Sequence, residues 1–307
     1  MTKLKNILTI LISLIVLVAL FLNFDAISEK LVSIFNSTPE VKVLPSNEYK
    51  KNDEFKLIKQ VDEYIPYNYQ DLLNIFYSTL NQGWTDFTFY CPVEYDNCLN
   101  DVAKISLNEE LLSNINNYVH PYNSYTSIKT LYDSTGKVNI LVKHLYSENE
   151  IKYIEKYADS VMSSTLKDNM SLETKIKTLH DYIINNTKYD AVRASEGDSK
   201  YDSARMTGLI NEHYAICSGY ADIMGVFLTK LGLSNFKVSS DSHVWNAVYL
   251  KDRWLHLDLT WDDPISTNGK DVLQHDYFLI STNRLKVLAK DNKDHNFDSK
   301  VYKEFAN

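Results

Sequence analysis

Hydrophobic and polar positions alternate most regularly in two neighbouring runs, HVWNAVYL at 243–250 and RWLHLDLT at 253–260. Both are rich in aromatic and aliphatic residues and have a period of two, which predicts a pair of strands. Lys251 and Asp252 fit a two-residue hairpin loop between them. That loop sets Leu250 opposite Arg253, Trp245 opposite Asp258 and His243 opposite Thr260. Side chains alternate across a pleated strand. One face then carries His243, Trp245, Ala247, Trp254, His256, Asp258 and Thr260, and the other Val244, Asn246, Val248, Leu255, Leu257 and Leu259. The second face is apolar except for Asn246 and is expected to pack on a core. A slip of one residue would exchange the faces, so the register is well specified.

Helical periods lie on either side. Residues 217–231, CSGYADIMGVFLTKL, repeat apolar positions at Ile223, Phe227, Leu228 and Leu231, with Gly232 as a C-terminal cap. NYQDLLNIFYSTLNQ predicts a helix with Leu72, Ile75, Phe76 and Leu80 on one face. Ser147 and Glu150 form a capping-box pattern before IKYIEKYADSVMSSTL. A further helix is expected from about Leu172 to Asn185, striped by Ile176, Leu179, Ile183 and Ile184. His180 lies beside that stripe and reads as a structural histidine. TDFTFY is a strand candidate, and YTSIKTLYD and KVNILVKHLY read as a hairpin around Ser134-Thr135-Gly136. The polar stretch TKYDAVRASEGDSKYDSARM lacks periodicity and reads as a loop near the mouth of any site at residue 217.

One apolar run has a different character. Residues 6–24 carry no charge and would span about 28 Å as a helix, close to the hydrocarbon thickness of a bilayer. Lys3 and Lys5 precede it, which places the N-terminus in the cytoplasm and the rest outside. No Ala-x-Ala cleavage pattern follows, so an uncleaved anchor is preferred over a signal peptide, whose removal would give a secreted protein. The expected organisation is 1–6 cytoplasmic, 7–24 a single-pass transmembrane signal anchor, and 25–55 an exposed juxtamembrane linker. A 56–146 accessory α+β region and a 147–307 catalytic domain follow.

Composition narrows the function. The net charge is −8 with no lysine- or arginine-rich block, which argues against a nucleic-acid partner. Three cysteines are present: Cys91, Cys98 and Cys217. Cys91 and Cys98 flank a short segment that a disulfide could close in an oxidising compartment, leaving Cys217 as the free thiol.

Cys217 at a helix start, His243 at the start of the next strand and Asp258 beyond it are the parts of a thiol nucleophile. Unpaired N–H groups and the positive dipole end of a helix stabilise a thiolate. His243 and Asp258 are diagonal neighbours on one hairpin face, roughly 7–8 Å apart at the backbone and within side-chain reach. Each residue taken singly has a bland reading: a buried thiol, a core histidine, a turn-capping aspartate. The conjunction points to catalysis. A metal hydrolase built on His243, His256, Asp258, Asp262 and Asp263 is the weaker alternative, because the spacing matches no zinc pattern such as HExxH.

The segments AICSGYADIMGVFLTKLGL, HVWNAVYL and RWLHLDLTWDDP, with LHDYIINNTKYD upstream, resemble the transglutaminase-like superfamily over about residues 171–265. The resemblance implies an α+β, papain-like core with the nucleophile on a helix N-terminus and the histidine and aspartate on an antiparallel sheet. It implies Cys217 as nucleophile, His243 as general base and acid, and Asp258 as the orienting carboxylate, with no cofactor and no metal. The expected activity is cysteine-dependent chemistry on amide or peptide bonds through a thioester. The enzyme would be a peptidase or amidase, or a protein-glutamine transglutaminase, with protein or peptide substrates, cell-wall peptide among them. A non-catalytic interaction module on the same fold is the alternative. His213 and Tyr214, just before the nucleophile, depart from the family pattern.

Overall fold

Lys251 and Asp252 both take positive φ, 53° and 59°, the backbone signature of a two-residue hairpin turn. The strands they join are called β7 (Val244–Leu250) and β8 (Arg253–Leu257) here, counting along the chain, and their register runs from Leu250↔Arg253 to Asn246↔Leu257 as the alternation requires. At the open end of the hairpin His243 immediately precedes β7 and Asp258 immediately follows β8. The structure is a computed structural model. It describes residues 41–265 and 272–305, together with Asn23, Phe24 and Ile27. Residues 42–307 form one compact unit, distinct from residues 1–41. The expected anchor at 7–24 lies, apart from Asn23 and Phe24, outside the described residues. Among the described residues no helix is long and apolar enough to cross a membrane.

The N-terminal half builds helix α1 (Tyr69–Asn81), strand β1 (Asp86–Tyr90), helices α2 (Cys98–Leu107) and α3 (Glu109–Asn116), and the hairpin β2 (Tyr125–Tyr132) with β3 (Lys137–His144). The strands form an antiparallel sheet ordered β1-β3-β2. Asn68 caps α1 by accepting from the Asp71 N–H, and residues 72–81 are buried all round the helix rather than on one stripe. This half meets the rest through specific bonds. The Lys237 N–H donates to the Asn117 carbonyl at 2.8 Å, and the Tyr118 hydroxyl donates to the Val301 carbonyl at 3.0 Å.

The stretch 25–55 was expected to run as an exposed linker, but in its described part, from residue 41, Lys51 and Phe55 are buried. Lys51 Nζ donates to the Asn235 carbonyl at 2.6 Å, while Phe55 packs edge-on against Phe236. Its composition is polar, but a lysine can bury its apolar stem when, as at Lys51, its ammonium finds a backbone acceptor.

The second half begins with α4 (Glu148–Thr165), which has the full Ser147–Glu150 capping box, and α5 (Leu172–Asn186). Strands β4 (Lys188–Tyr189) and β5 (Tyr214–Ala215) pair in parallel. Helices α6 (Ala191–Glu196) and α7 (Met206–Glu212) lie between them. The expected loop at 187–206 therefore contains a short strand and a short helix. Asp190 organises it by capping α6 at the Arg193 N–H and accepting from the Ser203 hydroxyl at 2.6 Å. Such short polar elements leave no periodic trace. Helix α8 (Cys217–Lys230) packs against β6 (Asn235–Ser239) and β7 of an antiparallel sheet ordered β6-β7-β8. Val248, Leu255, Leu257 and Leu259 join Ile223, Phe227 and the α5 stripe in one core. The opposite face of the hairpin is covered too. Phe297 packs against Trp245 and His256, and Phe305, from the chain beyond helix α9 (Thr282–Leu288), stacks on His256 at 4.0 Å.

Candidate active site

Cys217 is the first residue of α8, is partly exposed, and is a free thiol, whereas Cys91 and Cys98 form a disulfide. The helix starts here because Ile216 is extended (φ −104°, ψ 179°) and its N–H is held by the Ser203 carbonyl at 2.9 Å. The small residues after the cysteine serve close packing. The Ser218 hydroxyl donates to the Ala204 carbonyl at 2.9 Å. A Cβ on Gly219 would lie 2.8 Å from the Ser203 carbonyl oxygen, so only glycine lets the 203–205 chain lie against the first turn. Ala221 offers its carbonyl to Asn246 Nδ2 at 2.9 Å, which accounts for the lone polar residue on the apolar face of the hairpin.

The structure brings His243 and Asp258 together. His243 Nε2 lies 2.6 Å from Asp258 Oδ2, and both residues are buried. This leaves Nδ1 as the ring nitrogen available to Cys217, whose thiol interacts with the imidazole. Asp258 is fully engaged: Oδ1 accepts from the Thr260 and Trp261 N–H groups at 2.9 and 3.2 Å, and Oδ2 faces a second imidazole, His295 Nε2, at 2.8 Å. Burial pushes the His243 value down, but the Asp258 charge and hydrogen bond and the contact with Cys217 outweigh it and raise it to about 10. Burial alone would raise the Asp258 carboxyl, yet the two imidazoles hold it well below the usual carboxylate range.

His295 was not singled out from the sequence. It lies in DNKDHNF, beyond α9, with no periodicity to draw attention to it, and only the chain's return over the hairpin brings it to Asp258. Its Nδ1 is buried with no hydrogen-bond partner among the described residues. Tyr189 on β4 is also near: its hydroxyl value is raised by burial and then by the charges of Cys217, Asp294 and Asp258.

His256, on the same hairpin face, belongs to a different environment. Its Nδ1 accepts from Trp245 Nε1 at 3.0 Å and its Nε2 faces the Thr282 hydroxyl at 3.1 Å. Burial, helped by the charge of His295, lowers its value to about 3, so it is neutral. It holds Trp245, which stacks on His243 with centroids 5.6 Å apart. The residues of the metal-hydrolase alternative are dispersed: His256 is turned to Trp245, Asp262 faces His180 Nε2 at 3.1 Å, and Asp263 accepts from the Tyr220 hydroxyl. Two other groups bring potential ligand atoms within 4.8 Å of one another, His243/Asp258/His295 and His180/Asp181/His275. In both, one carboxylate oxygen lies at hydrogen-bond distance from two imidazole nitrogens, Asp258 Oδ2 in the first and Asp181 Oδ1 in the second.

His213 and Tyr214, the departures from the family pattern, have structural places. His213 is the left-handed residue (φ 60°) that ends α7, and Tyr214 stacks on Tyr201 at 3.8 Å.

Comparison with known proteins agrees over the region that holds these residues. The Transglutaminase-like superfamily matches residues 155–259. No curated protein matches the chain. Among solved structures, a TGase aligns at 16% identity and TM-score 0.33, over 45% of each chain. A candidate cysteine protease from Cytophaga hutchinsonii aligns at 14% identity and TM-score 0.28, over 48% of this chain and 65% of that one. A candidate protease from Parabacteroides distasonis aligns at 11% identity and TM-score 0.23, over 49% of this chain and 41% of that one. The chain thus spans less than two thirds of each of these structures. Residues 155–259, which carry Cys217, His243 and Asp258, thus match the transglutaminase-like superfamily.

Proposed function

We propose that the protein is a cysteine-dependent acyl-transfer enzyme that cleaves amide bonds in peptide substrates, with Cys217 as nucleophile, His243 as proton carrier and Asp258 as the anion that orients it. The observation that carries this reading is the 2.6 Å His243–Asp258 contact at the mouth of a helix that begins with the free thiol. The thiolate of Cys217 attacks the carbonyl carbon and the oxygen takes the charge, facing the unpaired N–H groups of the α8 N-terminus. The C–N bond then breaks, and the leaving amine takes the proton from the His243 imidazolium. Water attacks the resulting thioester, gives a proton to His243 and releases the acid together with the thiol. An amine in place of water would make a cross-link. Hydrolysis is preferred because water needs no acceptor site.

The enzyme would work outside the cell, anchored by residues 7–24. The Cys91–Cys98 disulfide supports that placement, because such bonds persist in oxidising compartments. The test is iodoacetamide labelling at neutral pH followed by turnover of a glutamine-containing peptide, with and without a primary amine. Alkylation at Cys217 with parallel loss of ammonia release is expected, and Cys217→Ala should abolish both while circular dichroism stays unchanged. Undiminished turnover in Cys217→Ala would overturn the mechanism.

A further inference from the structure

Where α5 meets the chain at 262–275, a second group of side chains converges with one contact more than hydrogen bonding can satisfy. His180 is fully buried, and its Nε2 faces Asp262 Oδ2 at 3.1 Å. A carboxylate oxygen only accepts, so Nε2 carries a hydrogen; burial lowers the His180 value, but Asp181 and Asp262 outweigh it and raise it, and when Nδ1 gives up its own proton that nitrogen becomes a lone pair. That Nδ1 points at Asp181 Oδ1, 2.9 Å away. His275 Nε2 reaches the same oxygen at 2.7 Å. The ammonium of Lys177 lies 2.6 Å from Asp181 Oδ2 and 2.7 Å from His275 Nε2.

These contacts cannot all be hydrogen bonds. If His275 Nε2 donates to Asp181, it has no lone pair for Lys177. If it accepts from Lys177, its lone pair faces a carboxylate oxygen. A cation at the convergence point removes the conflict, because two imidazole nitrogens and one carboxylate oxygen then all direct lone pairs at it. An imidazole whose other nitrogen is fixed by a buried carboxylate, as His180 is by Asp262, is the arrangement that orients histidine ligands towards a metal. Asp262 is itself held, by the Tyr277 N–H at 2.9 Å.

We propose that His180 Nδ1, His275 Nε2 and Asp181 Oδ1 form a binding site for a divalent first-row cation, with Lys177 as the residue it displaces. Two imidazoles and a carboxylate, with water as the fourth ligand, suit zinc. The metal takes the place of the protons now shared around Asp181 Oδ1. Part of the site faces solvent, His275 and Asp181 having side-chain exposures of 35% and 25%, so an ion can enter. Bound there, it would tie α5 to the chain at 275–277. The Tyr277 carbonyl in turn accepts from the Asp258 N–H at 3.2 Å, so the ion would brace the segment that carries the orienting carboxylate. The proposal stands on this cluster alone and does not depend on Cys217 acting as a nucleophile.

The test is calorimetric titration of Zn2+ into the full-length chain carrying Cys217→Ser, so that the free thiol cannot capture the ion. One saturable equivalent is expected. His275→Ala and Asp181→Asn should each weaken binding by at least about tenfold, the scale on which metal sites respond to ligand and support changes. Lys177→Gln should tighten it, because the competing ammonium is gone. Co2+ in place of Zn2+ should give visible d–d absorption that His275→Ala removes. Circular dichroism checks that each variant is folded, and His275→Asn serves if the alanine variant is not. No saturable binding, binding unchanged in both ligand variants, or weaker binding in Lys177→Gln would overturn the proposal.

Discussion

The open end and the middle of one hairpin face carry the same side chain and treat it in opposite ways. His243, at the end, is raised to about 10, while His256, in the middle, is lowered to about 3. Burial pushes both down. What separates them is one carboxylate: Asp258 lies 2.6 Å from His243, whereas His256 is met by an indole N–H and a hydroxyl. Depth of burial therefore does not distinguish the two histidines. The charge each faces does.

Removing that charge should have the largest effect on the difference. Asp258→Asn keeps the shape but cannot stabilise an imidazolium, and single-turnover acylation with a reactive ester should fall roughly 10²–10⁴-fold. A larger loss in His256→Ala than in Asp258→Asn would mean the roles of the two histidines have been assigned the wrong way round.

The pH dependence sharpens the contrast. Because the His243 value is raised, its protonated form favours the folded site fully below about 6.5, and that contribution is lost as pH rises through about 10. Asp258 is depressed, so its contribution is present above about 3.9 and is lost only as pH falls through its own lowered value. The ion pair is thus intact across neutral pH, and the alkaline limb of acylation should lie near pH 10. In Asp258→Asn it should move down towards the ordinary histidine value. A pH–rate profile in which the limb is the same in both proteins would remove Asp258 as the cause.

His295 should act through Asp258 rather than on substrate. His295→Gln removes one of the two imidazoles facing Oδ2 and leaves the carboxylate more basic, so acylation should fall by about tenfold or less while the alkaline limb moves upward. A merely structural residue would lower the rate without moving the limb.

The smallest effect on turnover is expected from His256→Ala. Loss of a buried ring stacked on Phe305 should cost about 2–4 kcal/mol of stability, read from urea unfolding, with acylation by the folded fraction changed less than about threefold. A collapse of acylation at unchanged stability would place His256 in the chemistry.

The hairpin could be read from the chain because a period of two with a two-residue turn leaves one register that keeps the leucines on the core. The ladder follows that register, and His243 and Asp258 meet because of it. Helix α8 and the capping box of α4 were legible for the same kind of reason, a periodic stripe or a local bond between residues three apart. Helices α6 and α7 were not, since each is shorter than two full heptads and is held by side chains such as Asp190. The burial of both hairpin faces was not legible either. It depends on Phe297 and Phe305 returning from the far end of the chain.

By itself, then, the sequence determined which side chains share a strand face, which thiol stands at a helix start, and which family pattern they follow, because those are matters of local period and spacing. Tertiary structure alone decided that Asp258 serves two imidazoles, that His256 is neutral, and that Lys177, His180, Asp181 and His275 crowd one point. Each of these depends on which group approaches from a distant part of the chain. Electrostatic interactions of that kind vary with ångström separations that no linear pattern encodes.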